Sequence, residues 1–300
     1  MIGAVAWAVP RLPLERAQTL GAALGRAVAM LPGKRRRRVE NHLRIAFPDG
    51  TMDSAQRAAL ARESYSALGS FLCESLWVSS WKDQADNGRV RFANEENWRR
   101  TLELARERGR GLIIYTAHLG TPELFGRWLS TNCGMPLMAV AAPSKIAGLQ
   151  EHMSARRQSG NVQVVLRGEA GSATLRHLRA GGVLVMFVDH SLKGPGVEVP
   201  FFGRGAHTLL APAKLALQSG AVGNTLFALR EGAGRFSLEC DDPMEIPSYS
   251  RDRGERFRQE AVVAAEYTGR IEAAIRRHPQ QYLWMHKRWQ KRSDTLPFPS

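Results

Sequence analysis

Gly111-Leu-Ile-Ile-Tyr-Thr-Ala-His118-Leu-Gly-Thr-Pro-Glu123 is the stretch on which the fold turns. Its first seven residues form a short apolar run with β-branched and aromatic members, just after Gly109, which stops the preceding helix. That pattern reads as a strand covered on both faces, as in a parallel sheet. Its end reads as a helix start: Thr121 is a cap-type residue, Pro122 suits the first helical position, and Glu123 suits the positive end of the helix dipole.

The same alternation extends in both directions. Upstream, Asn94 can cap a helix through Arg108, with Glu95 and Glu96 in its first turn. Downstream come a helix at 122–131, a strand at 137–141, a helix at 145–158, a strand at 162–165, a helix at 171–180 and a strand at 183–188. A helix at 211–219, with Pro212 in its first turn, and a strand at 221–229 follow, and then a long helix at 254–278. Strands alternating with helices imply an α/β class: a single domain with a mixed, mostly parallel central sheet flanked by helices.

The N-terminal part differs. Leu14 to Leu31 reads as a helix with Ala, Leu and Val recurring at three and four, ended by Pro32-Gly33, and Lys34-Arg-Arg-Arg-Arg38 follows. Residues 1–50 carry nine Lys/Arg against three Asp/Glu. An apolar helix beside a basic cluster suits an anionic lipid surface, at roughly 1 kcal/mol per basic side chain near it. A core helix followed by a solvated charged one would read the same way. The turn Phe47-Pro-Asp-Gly50 leads into a long helix at 53–78 with Leu60, Tyr65, Leu68, Leu72 and Leu76 inward. The expected division is a membrane-contacting helical segment over 1–50 and an α/β unit over 51–300.

The 300 residues hold 42 Lys+Arg and 28 Asp+Glu, a formal charge of +14, with 44% hydrophobic residues. That apolar fraction excludes a disordered chain, and the charge calls for an anionic partner: nucleic acid, an acidic protein or an anionic membrane. Cys73, Cys133 and Cys240 lie far apart with no CxxC pair, which argues against a disulfide framework and a structural zinc site. The opening run Met1 to Val9 is too short to span a bilayer, which takes about 20 residues, and lacks the positive start of a signal peptide. A peripheral protein is expected.

His118 falls at the carboxyl end of its strand, where the functional crevice of such sheets lies. With Glu123 in the next helical turn, the two can meet over the helix N-terminus. An imidazole there can take a proton from a hydroxyl, and a carboxylate can fix its tautomer. Taken singly, each residue is also explained by structure alone. A second acid changes the balance: Val188-Asp189-His190 ends another strand and leads into a glycine-rich loop and Val199-Pro-Phe-Phe-Gly203. Asp189 can orient His118 as well as, or in place of, Glu123.

These landmarks are recognisable together. His118-x-x-x-x-Glu123 after a strand, Asp189 with Pro200-Phe-Phe-Gly203, Ala211-Pro-Ala-Lys-Leu-Ala-Leu-Gln-Ser-Gly-Ala221 and Gln281-Tyr-Leu-Trp-Met-His-Lys-Arg288 occur in this order. The chain resembles the bacterial lipid A biosynthesis acyltransferases, the late lauroyl/myristoyl transferases, and the related mycobacterial phosphatidylinositol mannoside acyltransferases. Val39 to Pro48 resembles the family's N-L-x-x-x-F-P signature, with His42 in place of its Asn. The resemblance covers about residues 12 to 290.

It implies acyl transfer, with no cofactor, from acyl carrier protein or acyl-CoA to a glycolipid hydroxyl at the cytoplasmic face of the inner membrane. In that frame His118 is the general base, and Glu123 and Asp189 are its acidic partners. Arg156, Arg157 and Arg167 contact acceptor phosphate or donor, and Gly203 belongs to the substrate-binding motif. Departures exist: many relatives begin with a longer hydrophobic segment, and the loop reads Asp189-His-Ser-Leu-Lys where many lipid A enzymes carry Asp-Gln-Asp.

His286, in Trp284-Met-His-Lys-Arg288, offers itself as a second base, but Trp284 and Trp289 are expected to pack or lie at the interface, with His286 structural. No histidine has metal-ligand spacing with acids, so no metal is assigned. The rivals are a thioester hydrolase, against which the missing G-x-S-x-G elbow argues only for serine esterases, and a non-catalytic protein bound to anionic membrane. Nucleic acid is not expected, because no aromatic stacking pattern is interleaved with the basic cluster.

Overall fold

A computed structural model describes residues 8–78, 88–141, 162–166 and 170–299. The helices are α1 (Leu14–Met30), α2 (Lys34–Ala46), α3 (Ser54–Trp77), α4 (Glu95–Glu107), α5 (Pro122–Asn132), α6 (Ala170–Arg179), α7 (Ala211–Ser219) and α8 (Arg253–Arg277). The strands are β1 (Val90–Phe92), β2 (Leu112–Thr116), β3 (Leu137–Ala141), β4 (Val162–Leu166), β5 (Val183–Phe187), β6 (Gly196–Phe201), β7 (Arg204–Leu209), β8 (Val222–Gly232), β9 (Arg235–Cys240) and β10 (Thr295–Leu296). The expected helix at 145–158 lies outside the described residues.

Seven strands form one sheet in the order β1-β9-β8-β2-β5-β3-β4. Every neighbouring pair is parallel except β8 with β9. The fold class is therefore α/β with a mixed, mostly parallel sheet flanked by helices. β2 is central, and its side chains serve two cores. Ile113 and Tyr115 join the cluster under α8, with Tyr267 and Ile271, while Leu112 and Ile114 join the one under α4 and α5, with Trp98 and Phe125. That two-sided burial is why the segment reads as an unbroken apolar run.

A second, three-stranded sheet, β10-β6-β7, covers a stretch that reads as a glycine-rich loop in the sequence. Its β6–β7 hairpin closes over Phe202 (φ 51) and Gly203 (φ 72), both left-handed, which matches the twist of a two-residue turn. The Phe202 amide donates to Glu272 Oε2 at 2.6 Å, tying the tip to α8. Phe at a positive φ is unusual in a turn signal, which is why the hairpin is not legible in advance.

α1 and α3 pack backbone to backbone. A Cβ on Gly69 would fall 1.9 Å from the Gly21 carbonyl oxygen, and one on Gly21 would fall 2.3 Å from that of Gly69. This close approach corrects the expected inward face of α3. Leu60 and Tyr65 are buried and Leu68 and Leu76 half-buried, but Leu72 is 55% exposed. Gly69, Ser70, Cys73 and Glu74 point inward in its place, because small residues allow contact that leucines would block.

The same geometry turns the large side chains of α1 outward. Leu14, Ala17, Gln18, Gly21, Gly25 and Ala29 form its buried face, while Leu20, Leu24, Val28 and Met30, with Leu31 beyond, stay exposed. In α2, Lys34 to Arg37 are exposed, and Val39, His42, Leu43 and Ala46 are buried. The three cysteines are free and buried. Among the described residues, no helix is long and apolar enough to cross a membrane.

Candidate active site

Parallel register builds the site. Thr116 of β2 pairs with Phe187 of β5, so the residues two further along, His118 and Asp189, emerge side by side at the carboxyl edge of the sheet. His118 Nδ1 lies 2.9 Å from Asp189 Oδ1 and 3.2 Å from Oδ2, and the His118 backbone amide donates to Oδ2 at 3.1 Å. A carboxylate can only accept, so Nδ1 carries the proton and the lone pair is left on Nε2. The Asp189 side chain is fully buried and that of His118 is 25% exposed.

Burial alone would raise the Asp189 carboxyl. The facing His118, with His286 and His190 behind it, reverses this and holds the group well below the usual carboxylate range. Asp189 is therefore an anion under the imidazole, placed to orient it and to support its positive charge.

The C-terminal arm laces the loop in place. Leu283 N–H donates to the His118 carbonyl at 3.0 Å, Gly120 N–H donates to the Gln281 carbonyl at 3.1 Å, and Leu119 bridges Tyr282 in antiparallel fashion. Gly120 has φ +70, and a Cβ there would fall 1.9 Å from the Ala228 carbonyl oxygen, so no side chain fits. Thr121 takes the N-cap position of α5, yet its hydroxyl makes no cap bond and its amide donates to Ala228 O at 2.8 Å. Asn94 behaves alike, bonding to Cys240 rather than capping α4.

This arm brings His286 into the site. Its ring centroid is 4.2 Å from that of His118, and its Nδ1 is 3.8 Å from Asp189 Oδ2. Nδ1 of His190 is 3.7 Å from Asp189 Oδ1, and the His190 and His286 rings stack at 3.8 Å. Burial lowers the basicity of His286. Burial, then the Asp189 charge, pushes the Tyr282 hydroxyl well up. The sequence reading did not bring His190 and His286 together around Asp189; both lie in segments it singled out, and strand register places His190 while the backbone pairing of the C-terminal arm with the His118 loop places His286. Trp284 is buried and Trp289 half-buried against the core, as packing residues.

Glu123 sits half-buried in the first turn of α5. Gly203 is the second residue of the β6–β7 turn. Arg156, Arg157 and Arg167 lie outside the described residues. His118 and Gly120 line a groove walled by Ser64, Leu68 and Phe71 of α3, by Pro122, and by Tyr282 and Leu283. A base on a carboxylate at the edge of a partly apolar groove can deprotonate a hydroxyl on an amphipathic molecule.

The family model described as bacterial lipid A biosynthesis acyltransferase matches residues 1–291. The lipid A biosynthesis lauroyltransferase of Escherichia coli (strain K12) is 24% identical over 303 residues, covering 98% of this chain and 91% of its own. The lipid A biosynthesis palmitoleoyltransferase of the same strain is 26% identical over 297 residues, covering 96% and 89%. A phosphatidylinositol mannoside acyltransferase of Mycolicibacterium smegmatis is 29% identical over 134 residues, covering 43% and 44%.

Proposed function

This chain belongs to the bacterial lipid A biosynthesis acyltransferase family, and on that premise we propose that it moves a fatty acyl chain from an acyl thioester to a hydroxyl of a lipid A precursor. The donor is acyl carrier protein or acyl-CoA. The observation that carries the reading is the His118–Asp189 pair opening on the α3 groove.

Nε2 of His118 takes the proton of the acceptor hydroxyl as its oxygen attacks the thioester carbonyl. Asp189 supports the imidazolium that forms, and the positive end of α5 faces the developing oxyanion. When the tetrahedral intermediate collapses, His118 returns its proton to the leaving thiolate. Glu123, in the first turn of α5, serves as a second acidic partner of the base. Arg156, Arg157 and Arg167 bind acceptor phosphate or donor, for which a guanidinium fork is suited.

Residues 1–50 bring the enzyme to the cytoplasmic face of the inner membrane as a peripheral protein, and residues 51–300 carry the transfer unit. The outward row Leu20, Leu24, Val28, Met30 and Leu31, beside the exposed Lys34 to Arg37, supports this. Large apolar side chains kept in water next to a basic cluster are what an anionic bilayer binds. The +14 charge also suits an acidic carrier protein.

The test is to incubate the purified chain with acyl thioester and a panel of lipid acceptors. Acylated lipid A precursor is the expected product. Transfer to a phosphatidylinositol mannoside or an aminolipid alone would move the acceptor assignment, and thioester loss without acyl-lipid would replace transfer by hydrolysis.

A further inference from the structure

Four side chains from three separate segments converge on one point: His118, Asp189, His190 and His286. Each offers one donor atom, and these atoms lie within 4.8 Å of one another. We propose that this cluster binds one divalent ion of the zinc class, and that the bound ion withdraws His118 from proton transfer.

The donor set argues for the ion class. Three imidazoles and one carboxylate suit zinc, nickel, copper or iron, whereas magnesium and calcium favour oxygen shells. The spacing is close to what coordination needs. Zinc–ligand bonds of about 2.0–2.1 Å place tetrahedral neighbours roughly 3.3–3.5 Å apart. Nδ1 of His190 and Nδ1 of His286 stand 3.7 and 3.8 Å from the two oxygens of Asp189, while the four donor atoms together spread over as much as 4.8 Å, so closing the shell takes side-chain rotations of about an ångström that unstack the His190 and His286 rings.

A second observation points the same way. Nδ1 of His286 is buried and has no hydrogen-bond partner among the described residues. Too far from Asp189 for a hydrogen bond, it faces the carboxylate across a gap of the width an ion would span. An unsatisfied buried nitrogen is costly, and an ion bridging it to Asp189 removes that cost.

The consequence for activity follows from imidazole chemistry and rests on the acyl-transfer reading; the metal site itself stands on geometry alone. If the ion takes Nε2 of His118, it occupies the lone pair the base needs. If it takes Nδ1, Nε2 must carry the proton, and again no base remains. Arg38 and Arg288 act on the cluster as nearby positive charges, which weakens binding and makes the ion a reversible brake rather than a permanent centre.

The experiment titrates the tag-free full chain with cobalt(II) and follows the visible bands of tetrahedral cobalt, then displaces the metal with zinc chloride. The expected result is one tetrahedral site per chain, lost on zinc addition. His190→Gln, at a position whose side chain is 27% exposed, should weaken binding at least about tenfold, since even outer residues of metal sites cost that much. Zinc should inhibit acyl transfer, a chelator should restore it, and the half-inhibiting zinc concentration should rise in His190→Gln by the same factor. A weak octahedral spectrum, or equal affinity in the variant, would overturn the site. Tight zinc binding without inhibition would overturn the brake. Absence of acyl transfer in the metal-free chain would instead refute the proposed function, and the cobalt titration would still decide the site.

Discussion

Nδ1 of His118 lies 2.9 Å from Oδ1 of Asp189, and the two residues sit at matching positions beyond the paired strands β2 and β5. The contact is thus set by sheet register rather than by a flexible loop. A dyad held this way is fixed before substrate arrives, which is the condition for efficient proton transfer.

The dyad gives the first prediction. His118→Ala should lower acyl transfer by at least about 10²-fold, the low end for general acid–base catalysis. Asp189→Asn, which keeps the shape but reverses the hydrogen-bonding preference of one oxygen, should cost more than Glu123→Gln. Steady-state rates on one acceptor check the ranking, and Glu123→Gln proving the more damaging would assign the orienting role to Glu123.

Stability should depend on two buried histidines away from the dyad. Burial lowers the basicity of His42, whose Nδ1 is 2.7 Å from the Trp284 carbonyl, and likewise that of His207. Below about pH 6.5 the unfolded chain protonates both while the folded chain resists. The unfolded state then binds more protons, so stability falls as pH falls, with a slope of at most about 1.4 kcal/mol per pH unit for each group. Their contribution is complete above that range. Urea midpoints between pH 5 and 8 test this, and a flat profile that His42→Gln leaves unchanged would contradict it.

Glu74 is fully buried and meets Arg230 through two contacts, one of 2.9 Å, while Gln18 of α1 also donates to it at 2.8 Å. Gln281 in turn bonds both backbone groups of Arg230. Glu74→Ala leaves a guanidinium buried without its counter-charge and should cost about 3–5 kcal/mol. Calorimetry reads the loss, and a change under about 1 kcal/mol would show that water replaces the carboxylate.

Membrane contact is predicted to need both features of the N-terminal layer. Replacing Lys34 to Arg37 with Ser should weaken binding to anionic vesicles by about 1 kcal/mol per residue, an effect that high salt removes. Leu24→Ser with Val28→Ser should weaken binding to neutral and anionic vesicles alike. Sedimentation with vesicles separates the two.

Much of the site was legible beforehand because its chemistry lies at strand ends. His118 and Asp189 each follow an apolar run of strand length, and crevice residues fall there in such sheets. His190 and His286 were not legible as partners. His286 stands nearly a hundred residues from Asp189 in the chain, and the backbone pairing of Leu283 with His118 brings it in. Leu72 misled for a related reason: helical periodicity marks a face but not which neighbour covers it, and glycine contact between α1 and α3 chose the small side.

By itself, the sequence determined the α/β alternation, the buried character of β2, the points where α4 and α5 begin and the basic N-terminus. All of these are local properties, carried by residue type and period along the chain. Only the tertiary structure decided that β5 lies beside β2, that Asp189 therefore reaches His118, and that a C-terminal arm delivers His286 to the same carboxylate. Strand order and register depend on how both faces of the sheet are buried at once, which no single stretch of chain encodes.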